Sequence, residues 1–151
     1  MAEVAIRPAV PADAAAVRAC VRAAYAPYVA AIGREPAPMG DDWPALVAAG
    51  EVRVAPALGP LLGCIAFRAD GPAMLLETVA VHPGAQGRGL GGALIRHCEA
   101  EARRLGLASV RLYTNEAMTA NLTLYPALGY RETGRREEHG FRRVFFEKRL
   151  A

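Results

Sequence analysis

Four glycines fall within six positions, Gly87, Gly89, Gly91 and Gly92. They close the stretch Val79-Ala80-Val81-His82-Pro83-Gly84-Ala85-Gln86-Gly87-Arg88-Gly89-Leu90-Gly91-Gly92. The spacing reads as a strand that enters a glycine-rich turn, and the turn opens a helix. Glycine lets a backbone approach a ligand closely and turn successive N–H groups toward one spot. A helix start adds unpaired donors and a partial positive charge. Together these features make a seat for a phosphate or pyrophosphate, which a plain tight turn would not need. A second chemical candidate lies just upstream. Glu77 is the only carboxylate between Asp70 and Glu99 and sits in the apolar run Met74-Leu75-Leu76-Glu77-Thr78-Val79. A charge there is costly unless it works or is paired, for example with an arginine such as Arg111.

Three phosphate-binding patterns compete for the glycines. Residues 87–92 satisfy G-x-G-x-x-G, but a dinucleotide site also needs an acidic residue about 20 positions on. Residues 107–115 contain no carboxylate. A Walker loop needs Gly-Lys-Ser/Thr, and the only lysine is Lys148. The third pattern, Gln-x-x-Gly-x-Gly, is met by Gln86, Gly89 and Gly91.

That pattern resembles the GNAT superfamily of acyl-CoA-dependent N-acyltransferases. There a Val-x-Val-x-Pro-like strand end leads into Gln/Arg-x-x-Gly-x-Gly/Ala, whose amides hold the CoA pyrophosphate. A second stretch, Asn121-Leu122-Thr123-Leu124-Tyr125-Pro126-Ala127-Leu128-Gly129-Tyr130, resembles the family's Asn-x-x-x-Tyr-x-x-x-Gly-Phe/Tyr signature. Pro126 departs from it, standing where a helix former is usual, and predicts a bend there.

The resemblance implies attack of an amine on the thioester of acetyl-CoA, held as co-substrate, with no metal. Tyr125 matches the family's general acid, which protonates the departing thiolate; packing beside Leu122 and Leu128 is its structural alternative. Glu77 is the candidate base. By simple alternation it shares a face with Val79 and Val81, unless a bulge breaks that parity. The resemblance assigns cofactor contact to the backbone of Val79, Ala80 and Val81, and to Gln86, Gly87, Arg88, Gly89, Leu90, Gly91 and Gly92. Asn121 matches a pantetheine contact, and Asn115 is either a further contact or a helix cap. The acceptor is expected against the segment after the first helix, where Tyr28, Met39, Asp42 and Trp43 are candidates. Pro36 and Pro38 stiffen that segment and point to a covered pocket for a small-molecule amine.

These residues need elements to carry them. Alternation marks a strand at 3–7, and helical spacing follows from Pro11 and Asp13 to about 32, interrupted at Pro27. A loop spans 33–40. Asp41 or Asp42 caps a short helix that carries Pro44 in its first turn and ends at Gly50. Strands are predicted at 51–57, 61–69 and 73–81, as a meander. A helix follows over 90–105, with Glu99 on its polar face as an i,i+4 partner of Arg103. A strand at 109–113 lies parallel to its neighbour if that helix is a crossover. A helix at 117–128 and strands at 130–135 and 141–150 complete an α/β (α+β) fold. Its sheet is mixed and mostly antiparallel, flanked by helices, with residues 1–151 as one domain.

Composition bounds the rest. A net charge of +3 with acids and bases interspersed suits an anionic cofactor and offers no nucleic-acid surface. Three well-separated cysteines, Cys20, Cys64 and Cys98, read as reduced core thiols of a cytoplasmic protein. No apolar stretch is long enough to span a membrane, and Glu3 and Arg7 interrupt any secretory core. The expected partner is a small amine, with homodimer formation left open. Two rivals stand beside this reading: acetylation of a protein or N-terminal amine, and a CoA-binding regulatory domain without turnover.

Overall fold

The computed structural model describes residues 5–150. Strands run over Arg7–Pro8 (β1), Val52–Ala55 (β2), Gly63–Asp70 (β3), Ala73–Val81 (β4), Ser109–Asn115 (β5), Arg131–Glu138 (β6) and Phe141–Arg149 (β7). Helices run over Ala14–Tyr25 (α1), Val29–Ile32 (α2), Trp43–Ala48 (α3), Leu90–Arg104 (α4) and Thr119–Ala127 (α5). The expected first strand, at 3–7, falls partly outside the described residues; only Arg7 of it is in β1. The 33–40 loop contains a 3-10 turn, Ala37–Gly40.

The sheet order is β1-β2-β3-β4-β5-β7-β6. Every neighbouring pair is antiparallel except β4 and β5, which the α4 crossover joins in parallel. Helices cover both faces. On one, Leu90, Leu94, Ile95 and Cys98 of α4 pack with Met74, Leu76, Val110 and Phe146, and Tyr125 of α5 joins them. On the other, Val17, Cys20 and Val21 of α1 pack with Trp43 and Val47 of α3 and with Val52, Val54 and Ala66. All three cysteines are buried and free, and burial pushes the Cys98 thiol up to about 12.

Four local expectations change. Glu99 does not join the polar face of α4. It is 3% exposed, accepts from Tyr130 Oη at 2.7 Å and from Lys148 Nζ at 3.1 Å, while Glu101 takes Arg104 as its helix partner. Helical spacing is silent about a partner 49 residues away on β7. Arg111 pairs with Glu147, not with Glu77. Helix α5 does not run on to residue 128: Pro126 sits in its last turn, and the helix stops at Ala127. Its last turn closes through Leu128 N–H, which reaches the carbonyls of Leu124 and Tyr125. Gly129 then takes φ +94°, the left-handed backbone that favours glycine, with Lys148 Cε 3.3 Å from where a Cβ would stand.

The fourth change concerns parity on β4. Cross-strand partners run Leu76↔Phe67 and then Thr78↔Ala66, which leaves Glu77 as an extra residue on β4. This bulge moves the strand's facing by one. Met74 and Leu76 belong to the α4-side core, and after the bulge Val79 and Val81 pack against that same core. Glu77 therefore does not share a face with Val79 and Val81.

Candidate active site

Parallel pairing of β4 with β5 ends at Leu76↔Leu112. Beyond it the strands diverge, and the ends of β4 and β5 line two openings that meet. One opening is lined by Glu77, Tyr113, Asn115, Arg143 and the Pro36–Pro38 segment. The other is lined by Ala80, Val81, Gln86, Gly87 and Gly91, together with Tyr28 and Leu124. Tyr25, Val79, Met118, Asn121 and Tyr125 line both.

The glycine turn forms the far end of the second opening. Gly87 and Gly89 take φ of +82° and +74°, conformations that strain any L side chain. Gly89 is the N-cap of α4, and Ala93 is the residue whose N–H returns to the Gly89 carbonyl, at 3.1 Å. The amides before it in the helix are the free donors of a helix start. Leu90 anchors that start in the core at 4% exposure, so only its backbone is available to a ligand. His82 is a turn residue, its Nδ1 accepting from Gly84 N–H.

The strand edge beside the turn points backbone groups away from β3, with its carbonyls held by side chains. Tyr25 Oη donates to the Val79 carbonyl at 3.1 Å, across the gap between the strands. In a strand the N–H and C=O of one residue point the same way, so the Val79 N–H also faces the gap. The Val81 carbonyl accepts from Gln86 Nε2 on the same side. Ala80 lines the opening but pairs with Cys64 of β3. These residues fit an extended amide-bearing arm ending in a pyrophosphate: an unpaired strand edge leads into a turn of free amides.

Tyr125 stands where the openings join. Its ring meets Tyr130 edge-on at 5.8 Å and Phe146 at 5.7 Å. Burial alone pushes its phenol well above the ordinary range, so the proton is held at neutral pH. Burial does the same to Tyr25. Glu77 faces the first opening, with Arg68 Nε donating to its Oε1 at 2.6 Å. Asp41 lies near enough that the Glu77 charge, after burial, helps push its carboxyl upward.

Two of the expected site residues are buried away from the openings, and several others have protein partners of their own. Met39 and Trp43 are 4% and 1% exposed and pack beneath the proline segment in the α1-side core. Trp43 Nε1 donates to the Pro38 carbonyl, so it supports the pocket wall without lining it. Asp42 caps α3 through Ala45 N–H. Aromatic and acidic residues in a loop look like ligand contacts, but here they form the loop's own foundation. Tyr28 lines the opening beside Gln86 and Gly87, away from Glu77. Arg88 reaches back to the Gly84 carbonyl and lines a separate depression with Leu58 and His82. Asn115 Oδ1 accepts from Ala117 N–H, which is a turn-capping role. Asn121 Nδ2 donates to Thr114 Oγ1 at 3.0 Å and so ties α5 to β5.

Residues that sequence reasoning left out are Tyr113, Phe141 and Arg143. They come from β5 and β7, and only cross-strand register sets them beside Glu77. Asn115↔Arg143 and Tyr113↔Phe145 are partners. A further signal was present in α1, where Tyr25 recurs with Val17 and Val21 at helical spacing, but packing and function look alike at that level.

A family model described as an acetyltransferase (GNAT) domain matches residues 45–132. The chain belongs to the GNAT acetyltransferase family. Among curated relatives, the mycothiol acetyltransferase of Thermobispora bispora is 45% identical over 62 residues, 41% of this chain and 21% of that protein. The chain thus spans about a fifth of the length of the curated relatives it matches. Among solved structures, yncA of Salmonella typhimurium, which holds its cofactor acetyl-CoA, is 25% identical. It covers 99% of this chain and 95% of its own, with a TM-score of 0.75. The PaiA N-acetyltransferase of Thermoplasma acidophilum, in complex with coenzyme A, has a TM-score of 0.79 at 15% identity, over 99% of this chain and all of the other. The ribosomal-protein-S18-alanine N-acetyltransferase of Escherichia coli scores 0.77 at 19% identity, over 99% and 95%. The last two likenesses concern the fold alone.

Proposed function

We propose that this chain, as one catalytic domain, moves an acetyl group from acetyl-CoA to the primary amine of a small molecule, by direct attack while both are bound. The observation that carries the reading is the junction of two openings at Tyr125, Tyr25 and Val79. One opening ends in the amide-rich turn and suits the cofactor; the other contains Glu77 and suits the acceptor. Acetyl-CoA supplies an activated acetyl thioester. The chain's own groups do the rest. Glu77 takes a proton from the incoming ammonium, directly or through a water. The Val79 N–H faces the gap where the acetyl oxygen gains negative charge. Tyr125, kept protonated by burial, hands its proton to the leaving sulfur.

A small acceptor is favoured by how the first opening is covered. Arg34 of the segment before Pro36 donates to the His139 carbonyl at 3.1 Å and lies over the Phe141 ring at 4.1 Å. Arg22 pairs with Glu35 from the other side. Arg22 Nη1 also donates to the Met39 carbonyl, so the segment is tied on both sides of Pro36 and Pro38, which suits a pocket better than a peptide-length groove. The described residues include no helix long and apolar enough to cross a membrane and no cluster of metal-ligating groups. The three buried free thiols suit a reducing cytoplasm.

The test has two parts. Acetyl-CoA should bind in calorimetry, and Gly89→Glu should abolish binding, because it adds a like charge and a side chain at positive φ. A panel of amines, read by released CoA thiol, should then identify acceptors. Unchanged affinity in a folded Gly89→Glu protein, or no turnover with any amine, would overturn the reading.

A further inference from the structure

The acceptor opening is lined by charge of both signs. The negative group is the Glu77 carboxylate, with Asp41 close by. The positive group is Arg143, on β7 opposite Asn115. The Arg143 side chain is 10% exposed, yet only its Nη1 meets a protein acceptor among the described residues, Glu138 Oε1 at 3.1 Å. Glu138 is itself shared with Arg136, whose Nε lies 3.0 Å away, so one carboxylate serves two guanidinium groups. The Arg143 guanidinium lies over the Tyr113 ring at 4.2 Å, which fixes its plane. Its Nε and Nη2 thus retain donors without protein partners, in a group that lines the opening.

These donors are not sealed from the opening, so an oxygen ligand bound there can complete them. Planar guanidinium edges match carboxylates in a two-point geometry. Pro36, Pro38 and Phe141 supply apolar wall in the same opening. Resting on the acetyl-transfer reading above, we infer that the acceptor is an amine that also carries a carboxylate, of the amino-acid type with an apolar body. Arg143 binds the carboxylate, and the amine lies toward Glu77 and Tyr125. This makes Arg143 a specificity-determining residue that takes no part in moving protons.

Matched probes test this on the intact protein. Apolar amino acids, their amides and the corresponding carboxyl-free amines are titrated into CoA-saturated protein by calorimetry, and the same sets are assayed by thiol release. The wild-type protein should favour the free acid over its amide by about 10- to 100-fold in both readouts. Arg143→Gln should reduce that ratio to within about threefold and leave acetyl-CoA affinity unchanged; Arg143→Lys should keep part of it. Equal use of acid and amide by the wild-type protein overturns the inference without needing any variant to fold. So does a preference that survives Arg143→Gln. Acetylation of amines with no carboxylate preference sinks this inference and leaves acetyl transfer standing. Carboxylate-dependent binding with no acetylation of any amine does the reverse.

Discussion

Arg68 Nε donates to Glu77 Oε1 at 2.6 Å, and the carboxylate it holds belongs to the bulged residue of β4, which has no cross-strand partner on β3. The bulge is what frees Glu77 from the ladder, and Arg68, paired with Leu75 across the strands, sets where its carboxylate rests. One oxygen is occupied by this ion pair and the other remains for chemistry.

From this arrangement follows a pH signature. Glu77→Gln should slow acetyl transfer by about 10²–10⁴-fold at neutral pH, and the deficit should shrink toward alkaline pH, where free amine is abundant. Arg68→Gln should cost no more than about 1 kcal/mol of stability, since the pair is partly exposed. Rate–pH profiles of both variants check this. A Glu77→Gln profile parallel to wild type at every pH would move the base elsewhere.

Tyr125→Phe keeps the ring that packs on Tyr130 and Phe146 and removes only the hydroxyl. Stability and acetyl-CoA affinity should hold, while turnover falls by about 10²–10⁴-fold. Wild-type turnover, in a regime where chemistry limits the rate, would reduce Tyr125 to a packing residue.

Lys148 Nζ bridges the buried Glu99 carboxylate and the Leu128 carbonyl at the end of α5, at 3.1 and 2.9 Å. Lys148→Met leaves that carboxylate with the Tyr130 hydroxyl alone. Breaking such a pair should cost about 3–5 kcal/mol. A chain of this size loses about 2–4 °C per kcal/mol, so melting should drop on the order of 10 °C. The double variant Lys148→Met with Glu99→Gln should recover much of the loss. A melting temperature unchanged in Lys148→Met would show the bridge to be dispensable.

His97 Nε2 is buried without a partner, and the ring lies 6.4 Å from Phe67. Burial and then the Arg53 charge hold its pKa below the ordinary value. The unfolded chain therefore binds a proton that the folded chain resists. Stability should fall as pH drops below the unfolded histidine value, about 6.5, and level off below the lower folded value. Denaturant titrations across that window should show a step that His97→Leu removes. An identical step in His97→Leu would assign it to another group.

Much of this protein is written in local chemistry. The turn at Asp70-Gly71-Pro72 and the stop at Pro83 located β4 to the residue, because glycine and proline punctuate strands. Gly87 and Gly89 announced a backbone that strains other residues, and Gln86, Gly89 and Gly91 carried the resemblance to the family. Asp42 and Pro44 opened α3 as capping rules require. What local chemistry cannot encode is which distant groups meet. The Glu77 bulge depends on β3 pairing, and the Glu99–Lys148 bridge depends on β7 passing behind α4. Met39 and Trp43 turned inward because the proline segment needed a buried base, a matter of packing between α1 and α3. Arg143 reached the opening that Glu77 lines only because β7 inserts between β5 and β6. Spacing along the chain sets the face a side chain takes within its own element, whereas partners across elements are chosen by burial, register and charge in the assembled core.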